Sequence, residues 1–364
     1  MFFAYSFSIR RKSIHLLSAD MLLFEIDRLI LSAYVRQSFR LHSRYYNLKE
    51  SIIPMGQNVF IIRNYHSDDF DNFVQLHKET EAYDRSGRSN SRQCLAEDLG
   101  HPRLRPQSNL FVAERDQNLI GYVAVFVEPE IGRAVLDGLV HPQQRKKGIA
   151  TGLFAHAIEH ARQAGLKVAQ ICLSQTNQAG KNLMKRLGLQ FIRRFIRMEL
   201  ECATRLLPAI TQAFYRIRYL QPGEEQLLTD IQNRSFADAW GFNPNTTEEI
   251  TYRVNLSSCA PEDILVAYLE DRPIGYCWTR TFVEKHGASQ SVKGEIHMLG
   301  VDPDFRKQGV GRGVLLAGLS HLKNKDITLI ELTTDGEDPV AFRLYESIGF
   351  KESMILEWYQ KELI

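Results

Sequence analysis

Two short stretches of this chain carry the residue types and spacing that hold a phosphate. The run Val140–Ala150 (VHPQQRKKGIA) returns 161 residues later, without a gap, as Val301–Gly311 (VDPDFRKQGVG). In each, a strand-like segment leads into a basic, glycine-bearing turn, and a helical segment follows. Gly309 and Gly311 permit close backbone approach and positive φ. The unpaired N–H groups at the start of the next helix, with the helix dipole, favour a pyrophosphate. Arg306, Lys307 and Arg312 add cationic charge, with Gln308 and Val310 completing the turn. Arg145, Lys146, Lys147, Gly148, Ile149 and Ala150 do the same in the first copy. A tight β–α connection uses the same glycines, so one isolated copy would not separate a phosphate site from a plain turn. No Gly-Lys-Ser/Thr ending is present, and the turn follows a fourth strand, so neither a P-loop nor a dinucleotide fold fits.

The elements around the turns repeat as well, out to Gly188 and Gly349. A period this long marks a duplicated domain rather than a solenoid. Alternation and helical spacing predict, for the first copy, a strand at 59–63, a helix from 68, a hairpin at 109–127, and a strand at 134–140. After the turn come a helix at 151–164, a strand at 167–173, a short helix at 179–187 and a last strand at 191–200. The second copy follows the same order from 215 to 361. This predicts an α/β fold of two tandem domains, each a mixed, mostly antiparallel sheet with helices on both faces. The expected bounds are 58–201 and 215–364, with a linker at 202–214 around Pro208.

Composition describes an ordinary globular chain. Its 364 residues carry 45 Lys+Arg against 43 Asp+Glu and are 44% hydrophobic. Near-neutrality gives no case for a nucleic-acid partner, and no apolar run has the length of a membrane span. Five scattered cysteines show no metal-ligand spacing, so free thiols in a cytoplasmic setting, and no metal, are expected. Residues 1–57 differ: they are rich in Arg, Ser and Phe, with no acid before Asp20. They read as a disordered extension, either a targeting segment or translated upstream sequence ahead of a start at Met55.

The turn, Arg-x-x-Gly-x-Gly/Ala after a fourth strand, resembles the hallmark of the GCN5-related N-acetyltransferases. Their second hallmark, Asn-x-x-Ala-x-x-x-Tyr-x-x-x-Gly-Phe, is matched downstream by Asp338, Ala341, Tyr345, Gly349 and Phe350. The resemblance covers residues 58–364, and the tandem layout is most similar to the mycothiol synthase branch. It implies acetyl-CoA as co-substrate, held along Leu299, Gly300 and Val301 and at Arg306 to Arg312. It also implies Glu295 as general base and Tyr345 as general acid. Acetyl transfer to an amine needs such a base and a proton donor for the leaving thiolate. Asp338 stands where the family has asparagine; an acid there either weakens cofactor binding or caps the next helix.

Subtracting 161 maps Glu295 to Ala134 and Tyr345 to Met184, neither of which can exchange a proton. Val140, Arg145, Gly148, Ala150 and Asn177 survive, so the first copy is expected to keep cofactor parts without catalysing. His297 should share Glu295's strand face. Arg234, Trp240 and Phe242 lie in a connection that overhangs the acceptor site in the fold this chain resembles, and are candidate acceptor contacts. The expected function is acetyl transfer to a primary amine of a small molecule by a monomer or homodimer. The alternatives are a protein or peptide N-terminal acetyltransferase and a non-catalytic acyl-CoA-binding regulator.

Overall fold

Each copy folds in the order that its apolar periodicity predicts. The computed structural model describes residues 51–55, 58–85, 90–202, 207–208, 214–286 and 289–363, all within a compact unit spanning Lys49–Ile364. The first half runs β1 (Ser51–Met55), β2 (Asn58–Asn64), α1 (Phe70–Asp84), α2 (Arg92–Leu99), α3 (Pro106–Asn109), β3 (Leu110–Arg115), β4 (Asn118–Glu128) and β5 (Arg133–Val140). It continues through α4 (Ile149–Gln163), β6 (Val168–Ser174), α5 (Gln178–Arg186) and β7 (Gln190–Glu201). The second half runs β8 (Arg216–Tyr219), α6 (Glu225–Phe236), α7 (Thr247–Val254), β9 (Ile264–Leu269), β10 (Arg272–His286) and β11 (Ser289–Val301). It ends with α8 (Val310–Asn324), β12 (Leu329–Asp335), α9 (Pro339–Ile348) and β13 (Lys351–Glu362).

Local chemistry sets these elements. In α4, Leu153, Phe154, Ala157, Ile158 and Ala161 recur at helical spacing and are all buried, and Gly165 follows the helix at φ 75°. Helix α7 opens with a capping box: Glu249 N donates to Thr246 Oγ1 at 3.2 Å, and Thr246 N donates to Glu249 Oε2 at 3.0 Å. Three elements are absent from the sequence reading, namely α2, α3 and α7. All three are short and polar, which leaves little periodicity to see. The charged residues from Glu79 to Asp84 complete α1. The segment set aside before residue 58 contributes β1, paired antiparallel with β2; residues 1–50 lie outside the described residues.

One sheet runs through both halves, in the order β1-β2-β3-β4-β5-β6-β13-β7-β12-β11-β10-β9-β8. Among the described residues only β5/β6 and β11/β12 pair in parallel. The last strands are exchanged. β13, from the second half, pairs with β6 of the first, and β7, from the first half, pairs with β12 of the second. β7 and β13 pair with each other between them. Each half's alternation predicts its last strand correctly but carries no information on which neighbour that strand takes.

The cores confirm the exchange. Tyr359 and Leu363 pack into the first half's core with Leu153, Phe154 and Ile171. Met198, Leu200 and Cys202 pack into the second half's core with Val314, Leu319 and Ile330. Cys202, placed in the linker by sequence, is therefore fully buried, while most of 203–213 lies outside the described residues. The opposite face of each half has its own apolar layer, under α1 and α2 in the first and under α6 and α7 in the second.

Because each core contains residues of both halves, they should unfold together. Leu153→Ala, in the first half, is expected to cost about 2–5 kcal/mol. A urea titration followed by tryptophan fluorescence, which reports Trp278 in the second half's core and Trp240 and Trp358 at the exchanged strands, should show the whole shift. A tryptophan transition that stays in place while far-ultraviolet ellipticity splits into two steps would contradict this.

Candidate functional site

The site begins where two strands part. β11 and β12 pair only over Gly294–Ile296 and Ile330–Leu332. Beyond Ile296 the strands separate, and a bulge opposite Trp278 and Thr279 leaves His297 without a ladder partner. From Met298 to Val301, β11 is paired with β10 on one edge only. Alternate backbone N–H and C=O groups of Leu299, Gly300 and Val301 therefore face the gap. Gly300 is required here, because a Cβ would fall 2.5 Å from Tyr276 Cε1 and 2.8 Å from Ser235 Cβ. The first half has the same separation, with β5 and β6 paired only over Arg133–Val135 and Val168–Gln170.

At the end of the gap sits the glycine turn, with the same backbone in both halves. Gly309 has φ 84° and Gly148 φ 83°; Lys307 has φ 61° and Lys146 φ 62°. A Cβ on Gly309 would meet nothing within 4 Å, so the conformation, not crowding, calls for glycine. In α8 the N–H of Gly313 bonds to Gly309 O at 3.0 Å. Those of Gly311 and Arg312 precede that bond, and no acidic residue occupies the first turn. These groups fit a pyrophosphate. In α4 the corresponding first bond joins Gly152 N to Gly148 O at 2.9 Å, leaving Ala150 and Thr151 ahead of it.

The side chains divide the work differently from the sequence expectation. Arg306 is not a free charge beside the turn. Its guanidinium donates to Ser235 O at 2.8 Å, to Asp238 at 2.6 and 3.0 Å and to Val301 O at 3.4 Å, so it ties the turn to the end of α6. Arg145 likewise donates to Val140 O at 3.1 Å and to Asp84 at 2.8 Å, tying its turn to the end of α1. Val310 and Ile149 are each 1% exposed core residues, leaving only backbone groups for a ligand. Gln308 donates to Asp304 O at 3.1 Å, Lys147 to Gln144 Oε1 at 2.9 Å and Arg312 to Ser347 Oγ at 2.8 Å. Asp338 is the N-cap of α9, accepting from Val340 N and Ala341 N at 3.0 Å each. Asn177 caps α5 in the same way, accepting from Gly180 N at 2.9 Å.

Glu295 stands on β11 just before the strands part, opposite Arg280 of β10 and beside Glu331 of β12. His297 Nδ1 is 3.5 Å from Glu295 Oε2. Burial pulls the Glu295 carboxyl up, but the His297 hydrogen bond and charge, then Arg280 and Arg197, outweigh it and hold it below its usual value. Burial, then Arg280, lowers His297 against the opposing pull of Glu295. His297 is thus neutral near pH 7, and the lasting cations around Glu295 are Arg280 and Arg197. Glu331 shifts the other way, raised chiefly by burial and less by Glu295 and Glu199, against Arg197 and Lys293. Tyr345, on α9, is 7% exposed. Its hydroxyl is raised well above the usual phenol value by burial first, then by Cys277 and Asp338. It is therefore protonated near neutrality.

The three acceptor candidates scatter. Arg234 pairs with Asp302 at 2.9 Å and Asp304 at 3.3 Å, bracing the start of the glycine turn. Phe242 stacks on Phe236 at 5.8 Å. Trp240 rests on the exchanged strands, 6.0 Å from Phe195 and 6.2 Å from Trp358, with Arg193 5.2 Å above it. What sequence reasoning missed is the cationic frame around Glu295 and His297: Arg280 and Arg197 bear on the carboxyl, and Arg280 and Arg253 on the imidazole. Only Arg280 had a signal, as the residue that hairpin register sets opposite Glu295.

The first half contacts the second around α7. Ser257 N and Oγ donate to Glu97 at 2.9 and 3.0 Å, and Tyr252 donates to Glu97 O. Arg103 forks between Glu128, at 2.7 Å, and Glu249, with Nη2 at 2.8 Å. The first half's own counterparts of the acid and base have gone into its core: Ala134 is 0% and Met184 1% exposed.

The acetyltransferase (GNAT) family profile matches residues 66–189 and 226–350. The chain is similar to the mycothiol acetyltransferase of Thermobispora bispora, 28% identical over 224 residues, covering 61% of this chain and 74% of the relative. The enzyme of the same name from Nocardia farcinica is 28% identical over 248 residues, covering 66% and 78%. A GCN5-related N-acetyltransferase from Sphaerobacter thermophilus superposes with a TM-score of 0.64 at 20% identity, across 84% of this chain and 96% of that one. A tandem GNAT protein from the clavulanic acid biosynthesis pathway gives 0.63 at 16% identity, across 84% and 98%. At such identities the structural likeness speaks for the fold alone.

The two turns should differ in what they do for turnover. Arg306→Ala, which frees the second turn from Ser235 and Asp238, is expected to raise the KM for acetyl-CoA about tenfold. Arg145→Ala should leave it unchanged. Steady-state kinetics with varied acetyl-CoA check this; equal effects of the two would contradict the assignment.

Proposed function

The chain belongs to the acetyltransferase (GNAT) family, and from that premise we propose that its second half moves an acetyl group from acetyl-CoA to a primary amine of a small molecule. The observation that carries this reading is an ionised, partly buried Glu295 at the point where β11 and β12 part, with its counterpart in the first half reduced to Ala134. Glu295 takes the proton of the attacking amine, directly or through water, and His297 orients it. The open-edge N–H groups of β11 between Met298 and Val301 suit the thioester oxygen as negative charge builds there. Tyr345 gives its proton to the leaving thiolate. The glycine turn and the start of α8 receive the pyrophosphate, and acetyl-CoA supplies the activated acyl group.

The first half does no chemistry in this scheme. It walls the acceptor side through Glu97 and Arg103, which favours a bounded acceptor over a long peptide. Relatives named mycothiol acetyltransferase make a mycothiol precursor the first acceptor to test.

Glu295→Gln and Tyr345→Phe are each expected to lower kcat about 10²–10⁴-fold and to leave coenzyme A affinity within about twofold. Thiol release with an amine panel gives the first quantity and calorimetry the second. Full turnover in both variants would remove these residues from the mechanism.

A further inference from the structure

The face of the second half's sheet beneath α6 and α7 carries polar atoms that nothing among the described residues satisfies. Arg280 Nε, His297 Nε2, Tyr276 Oη, Ser235 Oγ and both amide atoms of Gln232 are buried there without a hydrogen-bond partner. Buried polar groups are nearly always paired. A cluster of this size, next to Glu295, marks a surface shaped for a polar ligand rather than for packing.

Two members of this face are guanidinium groups whose acidic neighbours bear on them without direct contact. Arg280 lies opposite Glu295 in the ladder, its guanidinium 5.3 Å from the centre of the Trp278 ring. Arg253 comes from the last turn of α7 and is half-buried. Among the described residues neither forms an ion pair. Of the acids that bear on them, Glu249 is engaged by Arg103 and by the α7 cap, Glu97 by Ser257 and Glu295 by His297. Burial pushes both guanidiniums below their usual value. For Arg280 it outweighs Glu295, Cys259 and Glu97; for Arg253 it acts with Arg103 and Arg280 against Glu249 and Tyr276. Both charges also bear on His297, whose Nδ1 lies 3.5 Å from Glu295 Oε2.

We propose that Arg280 and Arg253 together receive an anionic group of the acceptor, a carboxylate or a phosphate, while the acceptor's amine lies at Glu295. Guanidinium forks match both anions bidentately and keep that affinity when partly desolvated. A neutral acceptor would leave both forks buried and unanswered, which is costly. This inference rests on the acetyltransferase reading and adds the acceptor's charge to it, which sets an amine with a carboxylate or phosphate ahead of the mycothiol precursor, an amino sugar–cysteine conjugate that carries neither.

The test uses the full chain and two matched pairs of amines: alanyl-alanine against its C-terminal amide, and glucosamine 6-phosphate against glucosamine. The first pair reports a carboxylate, the second a phosphate. In at least one pair the charged member is expected to have a kcat/KM about tenfold to a hundredfold above its neutral partner. That ratio should fall toward one in Arg280→Met and in Arg253→Met, with Arg280→Lys keeping part of it. A ratio near one in the unsubstituted protein, or one that survives in both methionine variants, overturns the inference. Calorimetric titration of the same four amines separates this from failure of the acetyltransferase reading. With no acetylation of any amine, the reading fails but the anion site stands, provided the charged members bind and the methionine variants lose that binding. Binding of none of the four, or of charged and neutral members alike, overturns it as well.

Discussion

The exchange of β7 and β13 is the constraint on which the rest of this structure depends. Each half lacks the last strand of its own sheet and takes its partner's, so neither core closes alone. The exchange also reaches the chemistry we propose. Arg197 lies on β7, a first-half strand, yet its charge helps to hold the second half's Glu295 ionised. A first half without an acid or base of its own is thereby kept as a structural part of the second half's site, and Ala134 and Met184 are free to become core.

Around Glu295 the electrostatics are a contest between burial and fixed cations. Burial alone would raise the carboxyl above its usual value. Arg280 and Arg197, with the His297 hydrogen bond, prevent this, while the neighbouring Glu331 is pushed up by the same burial. Two carboxyl groups side by side on parallel strands thus take opposite protonation tendencies from their surroundings, the pattern that divides a base from a bystander. The glycine turns follow a similar economy of roles. Backbone N–H groups are left for the ligand, and the conspicuous arginines, Arg306 and Arg145, are spent on holding the loop shape.

Much of this was legible in the sequence, for a definite reason. Strands, helices and turns are local, and their 2.0- and 3.6-residue periods survive in Val168–Ser174 or Ile149–Gln163 whatever the tertiary context. The fixed offset of 161 residues made the two turns comparable and exposed Ala134 and Met184 as losses. What was not legible is non-local. The partner of a last strand is decided by which half it crosses to, and nothing in Gln190–Glu201 encodes that. The guanidinium of Arg306 looked like a phosphate ligand because its partners, Ser235 and Asp238, lie about 70 residues away in sequence. Trp240 and Arg234 stood in the right connection but point to the exchanged strands and to Asp302, whereas Arg253 and Arg280 had no motif to announce them.

The central claim is that the exchanged strand builds the catalytic electrostatics, and the pH dependence of kcat/KM in Arg197→Met tests it most directly. Arg197 lowers the Glu295 carboxyl, so its removal raises that group, and a reaction that needs Glu295 ionised loses rate at a higher pH. The account predicts that the acid limb moves upward relative to the unsubstituted protein while coenzyme A binding is unchanged. An acid limb that stays in place would show that β7 only holds the fold together and that the second half makes its base unaided.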